Sequence, residues 1–527
     1  MPQGPLCEGG RPLPRAYDPR VPHPPPALAW AGGSLAAILV VGLLGPSAAV
    51  PPLGRNGNAG AVVVTALLAA AVVAGIAAVL LGLRAGCTPR GAPWLAAAAV
   101  TALVAVSPVG NADLLSYAAY GRVGVTRADP YATPPQPSRD PVRQQVEDPW
   151  RTTPSVYGPV ATLEQIAVAR VVGDRPLLLP RALAAVNGLL FWLVGLLLWR
   201  RSPCRAVWLW WLNPVLLLVL VGGAHLDAAV ALLVLLSCTH GAGGRVAAVA
   251  GALSVKATAA WAVLGLFTRR PIAAVLGGLL ALGAFALAGP HVLNQAHRAG
   301  QYVSTGTPWR PVTSAVEQVL PHNLARTLVV GLAIALALLL WRRLVRLLPQ
   351  GQQLARAALA SSLAWPLLAP SALPWYDATA FALLPLLAAS RYDRLLVGHT
   401  AVLSMPTCQA ESCRCRGTCR SSLTAGSPVC APSRCWLSSC SPPGPGPTQA
   451  FPRSRTVPSS ELTRSSVRLV RSTAAAPMTS AWPFAVARHV AATVRVPARS
   501  TAQAVKVPRR GRPRSSRCTC VPQGRAA

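Results

Sequence analysis

Charge is what this sequence has least of. Only 12% of its 527 residues are Asp, Glu, Lys or Arg, about half the share of an ordinary soluble domain. Carboxylates are especially scarce, with 15 Asp and Glu in all. Lysine is nearly absent, and upstream of residue 405 only Lys256 occurs. No GxGxxG or GxxxxGKS/T motif is found, so nothing points to a nucleotide-binding domain. No internal repeat relates the two halves of the chain.

What the sequence has instead is hydrophobic residues, 52% of the total. Apolar stretches near 20 residues recur at 27–45, 60–83, 92–108, 180–199, 271–289 and 326–341. Each can cross a hydrocarbon layer of about 30 Å at about 1.5 Å per helical residue. Shorter stretches fall at 206–221, 226–239, 244–268, 355–370 and 375–389. The expectation is an all-α protein, a polytopic transmembrane helical bundle. The first span is read as retained, because it is long for a signal peptide and further spans follow at once, although Ser47-Ala48-Ala49 resembles a cleavage site.

The formal charge of +34 is unevenly distributed. From residue 405 onward there are 19 Lys and Arg against Glu411 and Glu461, a net +17, together with nine of the 13 cysteines. Periodic hydrophobicity stops there. The spacing C-x-C-x3-C in "ESCRCRGTCR", followed by Cys430, Cys435 and Cys440, fits no common zinc pattern. Residues 405–527 are read as a disordered Arg/Ser/Pro/Cys-rich tail, of the kind that GC-rich coding sequence yields out of frame, with no nucleic-acid role. This leaves 1–26 as a cytoplasmic N-terminal segment and 27–404 as the core.

Orientation follows from the arginines, because short cytoplasmic loops carry the basic excess. Arg11, Arg15 and Arg20, then Arg84 and Arg90, Arg200, Arg201 and Arg205, Arg269 and Arg270, and Arg342, Arg343 and Arg346 flank the long spans. Placing them inside puts residues 109–179 outside as one long loop, together with 290–325 and the "PSALPWYD" turn at 370–377. The segment 244–268 fits this map as two half-helices meeting at Lys256. Within the outer loop, 161–173 is read as an interfacial helix.

The loop opens with "GNADLLSYAAYGRVGVTRADPY", residues 110–131. Asp113, Ser116, Tyr117 and Tyr120 fall at i, i+3, i+4 and i+7, one face of a helix. Asn111 is a plausible N-cap, which puts Asp113 in the first turn, where the helix dipole favours an ionised carboxylate. Asp113 can serve as a cap or an Arg122 partner, and the tyrosines as an interfacial belt. Pro-bounded aromatic turns follow at "ADPY", "EDPW" and "TPSVYGPV". A second polar pair, His225 and Asp227, stands in "GGAHLDA", and Lys256 interrupts an apolar segment, where a cation is a functional candidate by default. Trp309, Trp375 and Tyr376 lie on the remaining outer loops. A carboxylate at the membrane lip, a cation at depth and aromatics between them suit a substrate with a polar head and a lipid tail. A transporter or flippase is the competing class, since broken helices and an intramembrane lysine also fit alternating access.

The blocks "NADLLSYAAYGRVGVTRADPY", "WRTTPSVYGP", "WLNPVLLLVLVGGAHLDAA", "SVKATAAW" and "PSALPWYDATAFALLPLL" resemble, in order, those of the actinobacterial polyprenol-phosphate-mannose-dependent α-1,6-mannosyltransferases. Leu226 stands where that family's third block has a polar residue. The resemblance implies a GT-C-like membrane enzyme of the cell envelope. Its active site would lie outside, its donor would be polyprenyl-phosphate-mannose and its acceptor a lipid-anchored mannan. By the same resemblance Asp113 would be the catalytic base of an inverting displacement. Lys256, His225 and Arg122 would face the departing phosphate, and Tyr117, Tyr157, Asp227, Trp375 and Tyr376 would line the substrate site. A donor already activated as a lipid phosphate implies no cofactor, and no ligand spacing forces a metal.

Overall fold

The protein is described by a computed structural model covering residues 25–47, 49–51, 60–147, 150–293, 303–304 and 307–412. The N-terminal arginines and residues 413–527 of the tail lie outside the described residues. The chain runs through α1 (Pro25–Leu44), α2 (Ala61–Ala85), α3 (Ala92–Val106), α4 (Asp113–Val125), α5 (Pro159–Val172) and α6 (Leu178–Trp199). It continues through α7 (Pro203–Trp211), α8 (Pro214–Gly222), α9 (Asp227–Thr239), α10 (Ala242–Val255), α11 (Ala259–Phe267) and α12 (Pro271–Ala288). The last helices are α13 (Trp309–Val316), α14 (His322–Leu347), α15 (Gln353–Leu368), α16 (Ala378–Leu383) and α17 (Arg391–Ser412). Among the described residues extended pairing is limited to isolated bridges. The all-α expectation holds.

Helices α1, α2, α6, α12 and α14 are long and apolar enough to cross a membrane, and α7 with α8, bent by 43°, makes a sixth if counted as one span. Their outer faces stay greasy: Leu43, Val62, Ile272 and Leu287 are all exposed. In water such surfaces are an aggregation hazard, whereas in a bilayer they are the lipid contact. Three expected spans take a different form. Helix α3 stops at Val106, because Ser107 precedes Pro108 and the residue before proline disfavours the helical region. The 206–221 stretch breaks at Asn213, whose side chain accepts from Val215 and Leu216 N–H at 3.2 and 3.4 Å and so starts α8 afresh. The 375–389 stretch is no span at all: a 3₁₀ turn, Pro374–Asp377, leads into short α16, and both are buried.

The core is built around α7 and α8. Trp208, Trp210 and Trp211 are fully buried. Each indole N–H donates to a carbonyl, of Cys87, Phe191 and Trp192 respectively, so the large apolar bodies are buried without stranding a donor. The segment 244–268 is two helices, as expected, with Lys256 extended at the joint (φ −156°, ψ 132°). Helix α10 packs against α9 and α12, and α11 against α15. In the 109–179 loop α4 and α5 pack on each other, and α5, at 14 residues, is short for a span. The apolar run at 394–405 continues as helix to Ser412.

Candidate active site

Two backbone hydrogen bonds place the start of α4. Val109 N–H donates to the Gly222 carbonyl (3.0 Å) and Gly110 N–H to Ala49 (2.8 Å), fastening the loop to the ends of α8 and the α1–α2 connection. Ala112 occupies the N-cap position. The cap that Asn111 was expected to supply comes from one residue earlier, through its Oδ1, which accepts the Asp113 N–H at 3.0 Å. That bond orients the amide, so the Asn111 NH₂ faces His225 and donates to Nε2 at 2.6 Å. A ring accepting at Nε2 carries its proton on Nδ1, and Nδ1 faces the Tyr117 hydroxyl at 3.2 Å.

Asp113 is partly buried, and its Oδ1 accepts the indole N–H of Trp150 at 2.8 Å. The Trp150 ring rests on Leu115, Ala119 and Val146, so the donor is held rigidly. Burial pushes the Asp113 carboxyl above the usual carboxylate range. The Trp150 bond and the charge of Lys256 pull it back, and the charge of Asp227 pushes it further up. The ordinary arginine partner is absent, because Arg122 pairs with Asp140 at 2.8 Å. Tyr117 meets Tyr157 edge to face, with ring centroids 4.9 Å apart, and burial raises both phenols, which stay neutral. Tyr120 donates to the Thr153 carbonyl at 2.9 Å and so ties α4 to the "TPSVYGP" turn.

That turn reaches the half-helix joint. Gly158 N–H donates to the Val255 carbonyl at 3.0 Å. The approach is so close that a Cβ on Gly158 would lie 2.2 Å from the Ser254 oxygen, which is why glycine stands there. The next residue after Val255 is Lys256. Its ammonium is buried, bonded to Asp227 Oδ2 at 2.7 Å, and sits 4.6 Å from the centroid of the Tyr376 ring. Trp375 stacks on His225 with centroids 3.5 Å apart and planes 13° from parallel.

The fold therefore brings Asp113, Tyr117, Tyr157, His225, Asp227, Lys256, Trp375 and Tyr376 into one connected cluster drawn from five distant chain segments. His225 and Asp227, expected to act as a pair, part company: Asp227 pairs with Lys256, and His225 bridges Asn111, Tyr117 and Trp375. Arg122 is engaged elsewhere. So is Trp309, whose indole donates to the Leu368 carbonyl at 2.7 Å. Three contributors were not singled out from sequence. Trp150 stood inside the quoted "EDPW" turn, and Asn111 was read only as a cap. Asp377, the last residue of "PWYD", accepts from His399 Nδ1 at 2.8 Å and Thr400 Oγ1 at 2.5 Å, fastening the Trp375–Tyr376 turn to α17. His399 and Thr400 lie in an apolar run with nothing in the pattern to mark them.

The cluster is thus a buried ion pair flanked by a half-buried carboxylate and a wall of aromatic rings. Residues 29–270, just under half of the chain, match the family model described as Alpha-(1->6)-mannopyranosyltransferase, N-terminal domain. The chain resembles the alpha-(1->6)-mannopyranosyltransferases. It is 30% identical over 183 residues to Alpha-(1->6)-mannopyranosyltransferase A of Corynebacterium glutamicum, covering 32% of this chain and 36% of that protein. It is 32% identical over 125 residues to Alpha-(1->6)-mannopyranosyltransferase A of Mycobacterium tuberculosis, covering 22% of this chain and 24% of that protein. The matched stretches thus span about a third or less of these curated relatives. No solved structure matches. Asp113, Trp150, His225, Asp227 and Lys256 all fall within the stretch matched to the mannopyranosyltransferase domain, whereas Trp375 and Tyr376 lie beyond it.

Proposed function

We propose that this chain is a membrane α-1,6-mannosyltransferase that moves mannose from polyprenyl-phosphate-mannose to a lipid-anchored mannan at the outer face of the cell membrane. The observation that carries the reading is the Asp113 carboxylate, with one oxygen held by Trp150 and electrostatically within reach of the Lys256–Asp227 pair. A β-linked donor yielding an α product requires one inverting displacement through an oxocarbenium-like state. The acceptor hydroxyl oxygen forms the new bond to the anomeric carbon, the bond from that carbon to the phosphate oxygen breaks, and the lipid phosphate leaves with the electron pair. Asp113 takes the hydroxyl proton.

Lys256 then faces the departing phosphate. An ammonium at depth is costly, and Asp227 and the Tyr376 ring hold it charged and in place. Trp375 is buried against His225, so the half-buried Tyr376 beside it is the ring left to meet a sugar or the first isoprene unit. The donor carries its own activation, so the reading needs no nucleotide and no cofactor. The transporter alternative has no independent support, because no repeat relates the halves.

The test is transfer of labelled mannose from polyprenyl-phosphate-mannose to a short α-1,6-mannoside in membranes. Asp113→Asn keeps the shape and the Trp150 hydrogen bond but removes the basicity. It is expected to lower transfer by roughly 10²–10⁴-fold at normal expression. Near-normal transfer by this variant would sink the base assignment.

A further inference from the structure

A second cleft lies outside the Asp113–Lys256 cluster. It opens where α5 ends and α6 begins, has a volume of about 480 Å³, and is lined by Val171, Val172, Arg175, Leu178, Arg181 and Ala182. The shape follows from a sharp turn. Gly173, at φ 79°, ends α5 with its N–H on the Ala169 carbonyl. Two residues on, the Arg175 carbonyl receives the Leu179 N–H at 3.1 Å at the start of α6.

Among the described residues neither Arg175 nor Arg181 is in an ion pair, although Asp174 is adjacent in sequence and exposed. The Nε of Arg181 is buried and has no hydrogen-bond partner among the described residues. A buried donor left unsatisfied is costly, so the site is set up for an acceptor that is not part of the chain. Around the guanidinium groups the walls are apolar, with Val171 87% and Leu178 45% exposed. Helix α6 is long and apolar enough to cross a membrane. Leu178, Ala182, Ala185 and Leu189 follow one another at helical spacing along its side, and Ala185 and Leu189 are exposed. A polar cleft thus sits at the end of a spanning helix, with an apolar stripe running away from it.

We propose that this cleft binds the phosphodiester headgroup of an anionic membrane lipid, with the acyl chains lying along the Leu178–Leu189 stripe. Two planar guanidinium groups match the oxygens of a phosphodiester, each able to donate two parallel hydrogen bonds. Basic pockets beside spanning helices recruit anionic lipids in this way. The site is independent of the mannosyl-transfer reading, because none of its residues belongs to that cluster.

The test uses the full chain purified in a neutral detergent, with bound lipid counted by native mass spectrometry while dioleoyl-phosphatidylglycerol, dioleoyl-phosphatidylcholine or inorganic phosphate is titrated in. Phosphatidylglycerol is expected to bind at least tenfold more tightly than either of the others. Arg175→Gln/Arg181→Gln is expected to remove that preference. Arg200→Gln/Arg201→Gln, which takes the same charge from the opposite end of α6, is expected to leave it unchanged. Arg175→Gln alone, at an exposed position that folding tolerates, is expected to weaken binding several-fold and serves if the double variant does not fold. Equal binding of phosphatidylcholine, or an unaltered preference in both arginine variants, overturns the site. Equally tight inorganic phosphate makes it an anion site with no lipid selectivity and overturns the lipid assignment.

Discussion

Trp150 and Asp113 form the smallest unit with a consequence of its own. On the proposed reading Asp113 is the base and acts only when ionised, so activity should rise with pH as it loses its proton. Burial places that limb above the ordinary carboxylate range, and the indole bond restrains the rise. Trp150→Phe removes a donor to the charged form and so favours the protonated one. The acid limb of kcat/KM is expected to move to higher pH, because a hydrogen bond to the charged form is lost. A limb that stays in place, with only a lower plateau, would show Trp150 to be packing alone. Lys256 carries the second residue-scale prediction. Lys256→Met strands the buried Asp227 carboxylate and is expected to cost about 3–5 kcal/mol, read as a lower melting temperature. Adding Asp227→Asn takes away the stranded charge. The double variant should recover most of the thermal stability and none of the transfer activity, whereas recovery of both would remove Lys256 from the chemistry. Arg122, the third cation expected at the site, is spent on Asp140, a partner 18 residues away that no helical spacing indicates.

At the scale of elements, the 109–179 loop is docked onto the joint between α10 and α11 through one glycine. Gly158→Ala would place a methyl group 2.2 Å from the Ser254 oxygen and break the 3.0 Å bond to Val255. We expect a stability loss of about 1–3 kcal/mol, as for other overpacked positions. Because Lys256 follows Val255 directly, transfer activity should fall more than the melting temperature implies. Activity falling only in step with unfolding would show the joint to be mere scaffold. Helix identities were legible because apolar runs of span length are a composition signal. Breaks were legible only where one residue announces them, such as Lys256 within 244–268. The bend at Asn213 and the collapse of 375–389 into turns depend on buried side-chain capping and on packing between α15 and α17, and hydropathy carries neither.

For the molecule as a whole, the expectation that arginine-rich loops are cytoplasmic is open to test, and the geometry supplies a better probe of it than the sequence alone. Ser138, an obvious loop position, is half-buried and its hydroxyl accepts the Asp140 N–H at 3.1 Å. Arg139 beside it is exposed. Arg139→Cys, in a background lacking the 13 native cysteines, is expected to react with an impermeant maleimide on intact cells. Labelling that requires lysis would turn the whole map over and place the Asp113 cluster at the cytoplasmic face.

The sequence by itself determined the class of molecule, a multi-pass helical membrane protein, because a chain so poor in charge and so rich in span-length apolar runs has no other way to satisfy its backbone and bury its surface. It also determined that Asp113 begins a helix with Tyr117 and Tyr120 on one side, since that pattern is local. Tertiary structure decided the pairings. Which carboxylate meets Lys256, which nitrogen of His225 faces Tyr117, and which indole holds Asp113 are matters of contact between residues 29 to 108 positions apart. Such contacts are set by how helices pack and where half-helices meet, and no periodicity along the chain encodes them.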